Sequence, residues 1–191
     1  MNARACNAPI AFSALVDYWF GELDEAEEAR IEEHLLGCGD CADRLEELAA
    51  IASGVRALVR DGSAHAVVPA AFVEQLAESG LRLREYRPPP NGGVNCTISP
   101  DDDIVVARLV AHLEGVQRLD LVVRSEGGEP DRIQNIPFDA ADTEIVILPS
   151  TKLLRTLPQC RQVMQLVAVD DAGDRVIADY TFNHTPYAPH G

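Results

Sequence analysis

Hydrophobic positions along this chain change their period near the middle, which divides it into two parts. Up to residue 86, apolar side chains recur every three or four positions, the spacing of an amphipathic helix. Beyond residue 93, short runs rich in β-branched residues predict strands. Residues 87–93 read Arg-Pro-Pro-Pro-Asn-Gly-Gly. Because proline is excluded from helix interiors, we expect a linker there.

The first part is predicted to contain four helices. Asp24 stands three positions before Glu27, a spacing typical of a capped helix start, and Gly21 is suited to end the helix before it. Asp40 is the expected cap of the third helix, and Pro69 begins the fourth. The predicted helices cover residues 11–20, 24–36, 40–60 and 69–83.

The second part is predicted to be an antiparallel β-sandwich or barrel of about seven strands. Glycine and proline punctuate runs of strand length, at the spacing seen in such folds. The predicted strands cover residues 94–99, 104–111, 119–124, 133–138, 144–148, 163–169 and 175–182. The fold class is therefore α+β in two domains: a helical domain over 1–86, the linker at 87–93, a β domain over 94–185 and a tail at 186–191.

The charge of the chain narrows the classes of partner. It has 191 residues and a formal net charge of −15, with Lys152 as its single lysine. Such a surface repels nucleic acid, so we expect no direct nucleic-acid binding, and it suits a basic protein partner. We also expect no membrane span, since no run approaches the roughly 20 apolar residues that one needs. The N-terminus lacks the pattern of a signal peptide, which predicts a cytoplasmic protein.

The strongest chemical signal is the pattern His34-x-x-x-Cys38-x-x-Cys41. An imidazole and two thiolates so close together are typical ligands of a tetrahedral Zn²⁺ ion. Since His34 falls at the end of the second helix and Cys41 at the start of the third, one ion would join the two helices. A fourth ligand is still needed. Cys6 is the obvious candidate, and a water, His65 or a nearby carboxylate are the alternatives.

Three interpretations of this motif stay open. The two cysteines could be a metal-free pair, the zinc could be purely structural, or it could be redox-active and released when Cys38 or Cys41 pairs with Cys6. Zinc coordination and thiol oxidation both depend on a low thiol pKa. The sequence pattern is therefore the same for a structural zinc and for a redox-active one.

Residues 11–60 resemble the zinc-associated anti-sigma domain. The resemblance rests on Tyr18-Trp-Phe-Gly-Glu-Leu23 followed by Glu32-Glu-His34-Leu-Leu-Gly-Cys38-Gly-Asp-Cys41. It implies a compact bundle of three helices that binds an extracytoplasmic-function sigma factor, with a fourth helix packing elsewhere on that factor. Cys6 precedes His34 by 28 positions, slightly more than is usual in the family.

The resulting hypothesis is a soluble anti-sigma factor that occludes its sigma factor from RNA polymerase. Release would follow zinc loss, thiol oxidation, ligand binding or proteolysis, and the β domain would sense a signal or bind a second protein or ligand. The alternative is a zinc-stapled adaptor whose partner is not a sigma factor. Apolar side chains of the first part are candidate anchors for the partner: Leu48, Val55, Leu58, Phe72 and Leu76.

The second part carries no comparable signal. Cys96 and Cys160 are expected to be small buried hydrophobic residues. Asp101-Asp-Asp103 is interpreted as a polar loop rather than a calcium site, because no regular spacing of oxygen ligands follows. No catalytic motif occurs in the sequence, so we do not expect an enzyme.

Overall fold

The computed structural model describes residue 6 and residues 8–188 of the 191-residue chain. It separates into two compact units, one up to residue 57 and the other from residue 58 onward. Helices make up the first unit, and two sheets with two short helices make up the second. The α+β class is therefore confirmed.

The first unit contains three helices, whereas the sequence predicted four over residues 1–86; the fourth helix and residues 58–86 belong to the second unit. The three helices are α1 (Phe12–Phe20), α2 (Glu25–Gly37) and α3 (Gly39–Arg60), of which the last turn belongs to the second unit. Asp24 caps α2, accepting a 2.8 Å hydrogen bond at Oδ1 from the backbone N–H of Glu27. Gly21 ends α1 in the left-handed region, at φ 70°. A small core is formed by residues from all three helices: Leu15, Ile31, Cys41 and Leu48.

The second unit contains nine strands and two helices among the described residues. The strands are β1 (Ala66–Val68), β2 (Leu83–Tyr86), β3 (Gly92–Cys96), β4 (Ile104–Val110), β5 (Leu119–Ser125), β6 (Asp131–Ile133), β7 (Glu144–Leu148), β8 (Cys160–Asp170) and β9 (Gly173–His184). The helices are α4 (Ala70–Glu78) and α5 (Thr151–Thr156).

These strands form a four-stranded sheet in the order β1-β7-β4-β2 and a five-stranded sheet in the order β3-β9-β8-β5-β6. Two pairings, β2 with β4 and β3 with β9, are parallel. The expectation of about seven antiparallel strands is thus corrected to nine strands in mixed sheets. The error has a physical origin: β1 and β2 are short edge strands of three and four residues, too short to show a strand period.

Both sheets share one core. Buried side chains of β4 and β7 on one side meet those of β5, β8 and β9 on the other, among them Leu109, Ile147, Leu121, Leu166 and Tyr180. The opposite face of the four-stranded sheet is buried too, at Val106, Val146 and Leu148. Helix α4 lies in the chain between β1 and β2, which are the two edge strands of this sheet. Its residues Phe72, Val73 and Leu76 are buried as well.

Residues 87–93 lie inside the second unit, where they carry the chain from β2 in one sheet to β3 in the other. The backbone N–H of Asn91 donates to the carbonyl of Asp179 at 2.8 Å, and Pro88 is buried. The proline run is therefore a crossing between sheets, whereas the sequence predicted a linker between domains. Proline suits the crossing because residues that leave one ladder for another have no strand partner for an N–H.

The Asp101–Asp103 loop is held by arginines. Asp102 is buried and accepts hydrogen bonds from Arg84 Nε at 3.2 and 3.1 Å, while Arg82 forms ion pairs with Asp101 and Asp103, both at 3.2 Å. The three carboxylates thus fasten the loop before β4 to the start of β2.

A second buried carboxylate, Asp120 on β5, leads to a testable expectation. It is fully buried and accepts 2.8 Å hydrogen bonds from Arg132 Nε and from the backbone N–H of Asn135. Burial acts to raise the pKa of Asp120, but these two donors outweigh it and the pKa lies below its usual value.

We expect Asp120→Ala to lower the free energy of unfolding of the second unit by about 2 kcal/mol, because it leaves the guanidinium and the amide without their buried acceptor. Asp174→Ala, which removes the exposed second partner of Arg132, should cost clearly less than Asp120→Ala, because solvent screens that ion pair. Because the folded pKa is depressed, the Asp120 contribution is present above the unfolded-state pKa near 3.9 and is lost as pH falls through the lower folded value. Urea unfolding of both variants at pH 7 and pH 3 measures these effects; equal costs at pH 7 would contradict them.

Candidate metal centre

Three of the four predicted ligands lie where α2 meets α3. His34 is in the last turn of α2, Cys38 is the connecting residue, and Cys41 is in the first turn of α3. Cys38 has extended backbone, with φ −129° and ψ 102°, and its carbonyl accepts a 3.1 Å hydrogen bond from the N–H of Ala42. The chain therefore passes from α2 into α3 through a single extended residue, and the ligand atoms of His34 and Cys41 lie close together.

Cys6 completes the cluster from the segment before α1. Its Sγ lies 3.6 Å from His34 Nε2 and 3.9 Å from Cys41 Sγ, and the ligand atoms of all four residues lie within 4.8 Å of one another. In a tetrahedral site with Zn–S of about 2.3 Å and Zn–N of about 2.0 Å, sulfur–sulfur and sulfur–nitrogen distances are about 3.8 and 3.5 Å. The cluster thus has the donor set and the dimensions that a zinc ion requires.

Two hydrogen bonds fasten the Cys6 segment to α3. The backbone N–H of Cys6 donates to Asp40 Oδ2 at 2.9 Å, and Arg44 Nη1 donates to the carbonyl of Ile10 at 2.8 Å. Asp40, expected to be a helix cap, instead holds the backbone of a candidate ligand. Neither contact could be found from the sequence, because each joins residues 34 positions apart.

The thiols differ in their acidity. A backbone hydrogen bond from Cys41 and a side-chain hydrogen bond from Cys6 lower the pKa of the Cys38 thiol. The pKa of the Cys6 thiol is raised: a backbone hydrogen bond from Ala8 acts to lower it, but the contact with Cys38 and partial burial outweigh that effect. Of these two thiols, Cys38 is therefore the better prepared to ionise, as a metal ligand must.

The alternative fourth ligand His65 lies outside this cluster. It is exposed, just before β1 in the second unit. Among the residues that the structure describes, the four residues Cys6, His34, Cys38 and Cys41 are the group whose donor atoms could hold a metal ion.

Several of the candidate anchors are not surface residues. Leu48 belongs to the core of the first unit, and Phe72 and Leu76 are buried in α4. Of the predicted anchors, Leu58 is exposed, at 55%. Three exposed apolar residues of the first unit were missed: Phe12, Leu36 and Ile51, at 50%, 92% and 60% exposure. These residues do not fall on the buried face of their helices. A search for apolar residues at helical spacing therefore does not select them.

No helix in the described part of the chain combines the length and the apolar character needed to cross a membrane.

A small helical unit with a His/Cys cluster at a helix corner carries the donor atoms that a metal ion such as zinc takes as ligands. Consistent with this, residues 12–42 match the model of the family described as "Putative zinc-finger". That match spans the helices α1 and α2 and reaches Cys41, and it stops short of the second unit.

Among curated proteins, no sequence matches this chain. Of the solved structures, the N-terminal domain of phage TP901-1 ORF48 is similar at 12% identity and a TM-score of 0.34, over 56% of this chain and 98% of that one.

The fastening of Cys6 by Asp40 can be tested directly. We expect Asp40→Ala to weaken zinc affinity by about tenfold, because partners that orient a ligand typically contribute that much. Asp43→Ala, an exposed carboxylate on the same helix, is the matched control and should leave the affinity unchanged. Competition with a chromophoric chelator measures both, and equal affinities for the two variants would contradict the role of Asp40.

Proposed function

We propose that this protein is a cytoplasmic anti-sigma factor. Its first unit, folded around a Zn²⁺ ion held by Cys6, His34, Cys38 and Cys41, binds an extracytoplasmic-function sigma factor and occludes it from RNA polymerase. The protein acts by binding, not by catalysis. The observation that carries the proposal is the four-residue cluster at zinc dimensions. Three of its residues, His34, Cys38 and Cys41, lie in the segment that matches a zinc-finger family whose domain is associated with anti-sigma factors.

The charge of the first unit supports a basic partner. Residues 1–57 include 12 acidic and four basic side chains, a net charge of −8. A sigma factor must present basic surfaces to promoter DNA and polymerase, so an acidic unit can cover those surfaces by charge complementarity. Complementary charge accelerates encounter and makes it sensitive to salt, while buried apolar contacts supply most of the affinity.

Apolar contacts are available on the same unit. Leu36 is 92% exposed at the end of α2, two residues beyond His34. When a partner buries such an exposed leucine, the free energy of the complex falls by about 1.5–3 kcal/mol for the whole side chain. The zinc ion would fix the helix corner that carries Leu36, so metal binding and partner binding are linked through one local structure.

Loss of the ion would release the sigma factor. Structural zinc contributes roughly 10–16 kcal/mol to small zinc peptides, whereas a swing from 1% to 99% bound needs only about 5.5 kcal/mol. Removal of the ion, or oxidation of its thiolate ligands, therefore releases the partner provided that about half of the zinc-binding free energy is coupled to partner binding.

The proposal is tested with the full chain and a purified extracytoplasmic-function sigma factor; one encoded in a neighbouring reading frame would be the first choice. Mixed at micromolar concentration, they should form a stable one-to-one complex, and in transcription assays the protein should inhibit initiation by that sigma factor alone. Capture of another protein, with no sigma factor bound, would favour the zinc-stapled adaptor instead.

A further inference from the structure

One side of helix α3 is exposed over most of the length that lies in the first unit. The exposed positions from 43 to 57 recur at helical spacing, so they lie on one side of the helix, opposite the buried Cys41 and Leu48. This side is called the α3 face below. Its residues are Asp43, Glu46, Glu47, Ala50, Ile51, Ser53, Gly54 and Ala57.

Gly54 lies in the interior of α3, where glycine weakens a helix relative to alanine. Its backbone does not require glycine, because its φ is outside the left-handed region. The described chain around it does not require glycine either, since a Cβ atom at this position would meet nothing within 4 Å. What the missing side chain does provide is room for another backbone to approach α3 closely.

Ile51 supplies an apolar contact beside this position. It is 60% exposed and lies three residues before Gly54, so the two are neighbours on the helix surface. Ala50 and Ala57, four residues before and three residues after the glycine, are exposed too. These small residues leave a shallow groove with one bulky side chain at its margin, the shape into which the side-chain ridge of another helix packs.

The charge of the α3 face favours a basic partner. All its charged residues are acidic, and they lie in its N-terminal half. Two arginines of the same stretch have contacts elsewhere in the unit. Arg44 donates to the carbonyl of Ile10 at 2.8 Å, and Arg56 lies over the ring of Trp19, 5.9 Å from its centroid. The face is therefore acidic at one end and apolar at the other.

We propose that the α3 face is the docking site for an amphipathic helix of the sigma factor, with the apolar side of that helix on Ile51 and Gly54 and its basic residues beside the carboxylates. This inference rests on the proposed function and names a surface that carries it out. Charge complementarity argues for this occupant, because a sigma factor presents basic surfaces. It argues against a second copy of this chain, since two acidic faces repel each other.

Gly54→Leu in the full-length, zinc-loaded protein tests the close approach. Leucine has room in the free protein and is the better helix former, so the variant should keep its zinc and unfold about 4 °C higher. The affinity for the purified sigma factor should nevertheless fall roughly thirtyfold, because the added side chain holds the two helices apart. Ala77→Leu, at an exposed alanine of α4 in the second unit, is the matched control and should leave the affinity within twofold.

Glu47→Arg tests the charge of the same face independently. Reversing this exposed charge should slow association with the sigma factor about tenfold at low salt and reduce the salt dependence of the rate. Glu74→Arg, at an exposed glutamate of α4, should change the rate less than twofold. Stopped-flow measurements at two salt concentrations give both rates.

The outcomes separate the docking surface from the function. If the original protein binds the sigma factor and Gly54→Leu binds it equally well, or Glu47→Arg associates equally fast, the α3 face is overturned and the proposed function stands. If the original protein forms no complex, the proposed function fails and the α3 face fails with it. Sedimentation of the protein alone tests the remaining occupant: a dimer that Gly54→Leu converts to a monomer would assign the face to a second copy and overturn the proposal.

Discussion

Replacing His34 by alanine is expected to remove the metal ion and unfold the helices of residues 12–57, while the β-sandwich stays folded. The four donor atoms join the Cys6 segment, the end of α2 and the start of α3, and the core beneath them is small. Since structural zinc contributes roughly 10–16 kcal/mol to small zinc peptides, the remaining contacts cannot hold the unit together. Far-ultraviolet circular dichroism, zinc analysis and limited proteolysis measure the outcome.

Cys160→Ser is the matched control for this experiment. Cys160 is a partly buried free cysteine at the start of β8 in the second unit, outside the cluster. It should retain stoichiometric zinc and full helicity. A His34→Ala protein that keeps its helicity and its protease resistance would show that the helices fold without the ion.

Replacing Leu36 by glutamate is expected to weaken sigma-factor binding about a hundredfold without changing zinc content or stability. The side chain is 92% exposed in the free protein, so its substitution disturbs no core contact. In a complex, a charged group in place of a central apolar anchor costs about 3 kcal/mol, which corresponds to that change in Kd. Titration calorimetry with the purified sigma factor measures it.

Leu153→Glu is the corresponding control. Leu153 is also an exposed leucine on a helix, at 56%, but it lies on α5 of the second unit. Its substitution should leave the affinity within twofold of the original protein. If Leu36→Glu and Leu153→Glu had the same small effect, the end of α2 would not belong to the interface.

The helical unit could be predicted closely from sequence because its signals are local. Capping at Asp24 and the left-handed Gly21 each depend on neighbours within four positions. The pattern of His34, Cys38 and Cys41 also falls within eight residues. Rules that concern neighbouring residues are sufficient to predict these caps and motif positions. In the structure, each lies at the helix end where the sequence placed it.

The sandwich was predicted less well because its arrangement depends on distant pairs. Strand β2 is defined by parallel pairing with β4, about 20 residues later, and β3 by pairing with β9, about 90 residues later. The proline run at 87–93 has the composition of a linker, yet the strand pairing on either side of it makes it a crossing. The composition of a segment indicates its local conformation. It does not indicate which strands pair on either side of the segment.

In the candidate site, too, some positions follow from local sequence and others depend on distant contacts. The three ligands of the motif follow from spacing alone, whereas the position of Cys6 depends on Asp40 and Arg44, each 34 residues from its partner.

X-ray absorption at the zinc edge of the purified, full-length protein tests the metal centre most directly. One ion per chain with three sulfur ligands near 2.3 Å and one nitrogen near 2.0 Å is expected, with one sulfur replaced by a lighter atom in Cys6→Ser. Protein that holds no stoichiometric zinc, or a coordination shell that Cys6→Ser leaves unchanged, would contradict a four-residue site.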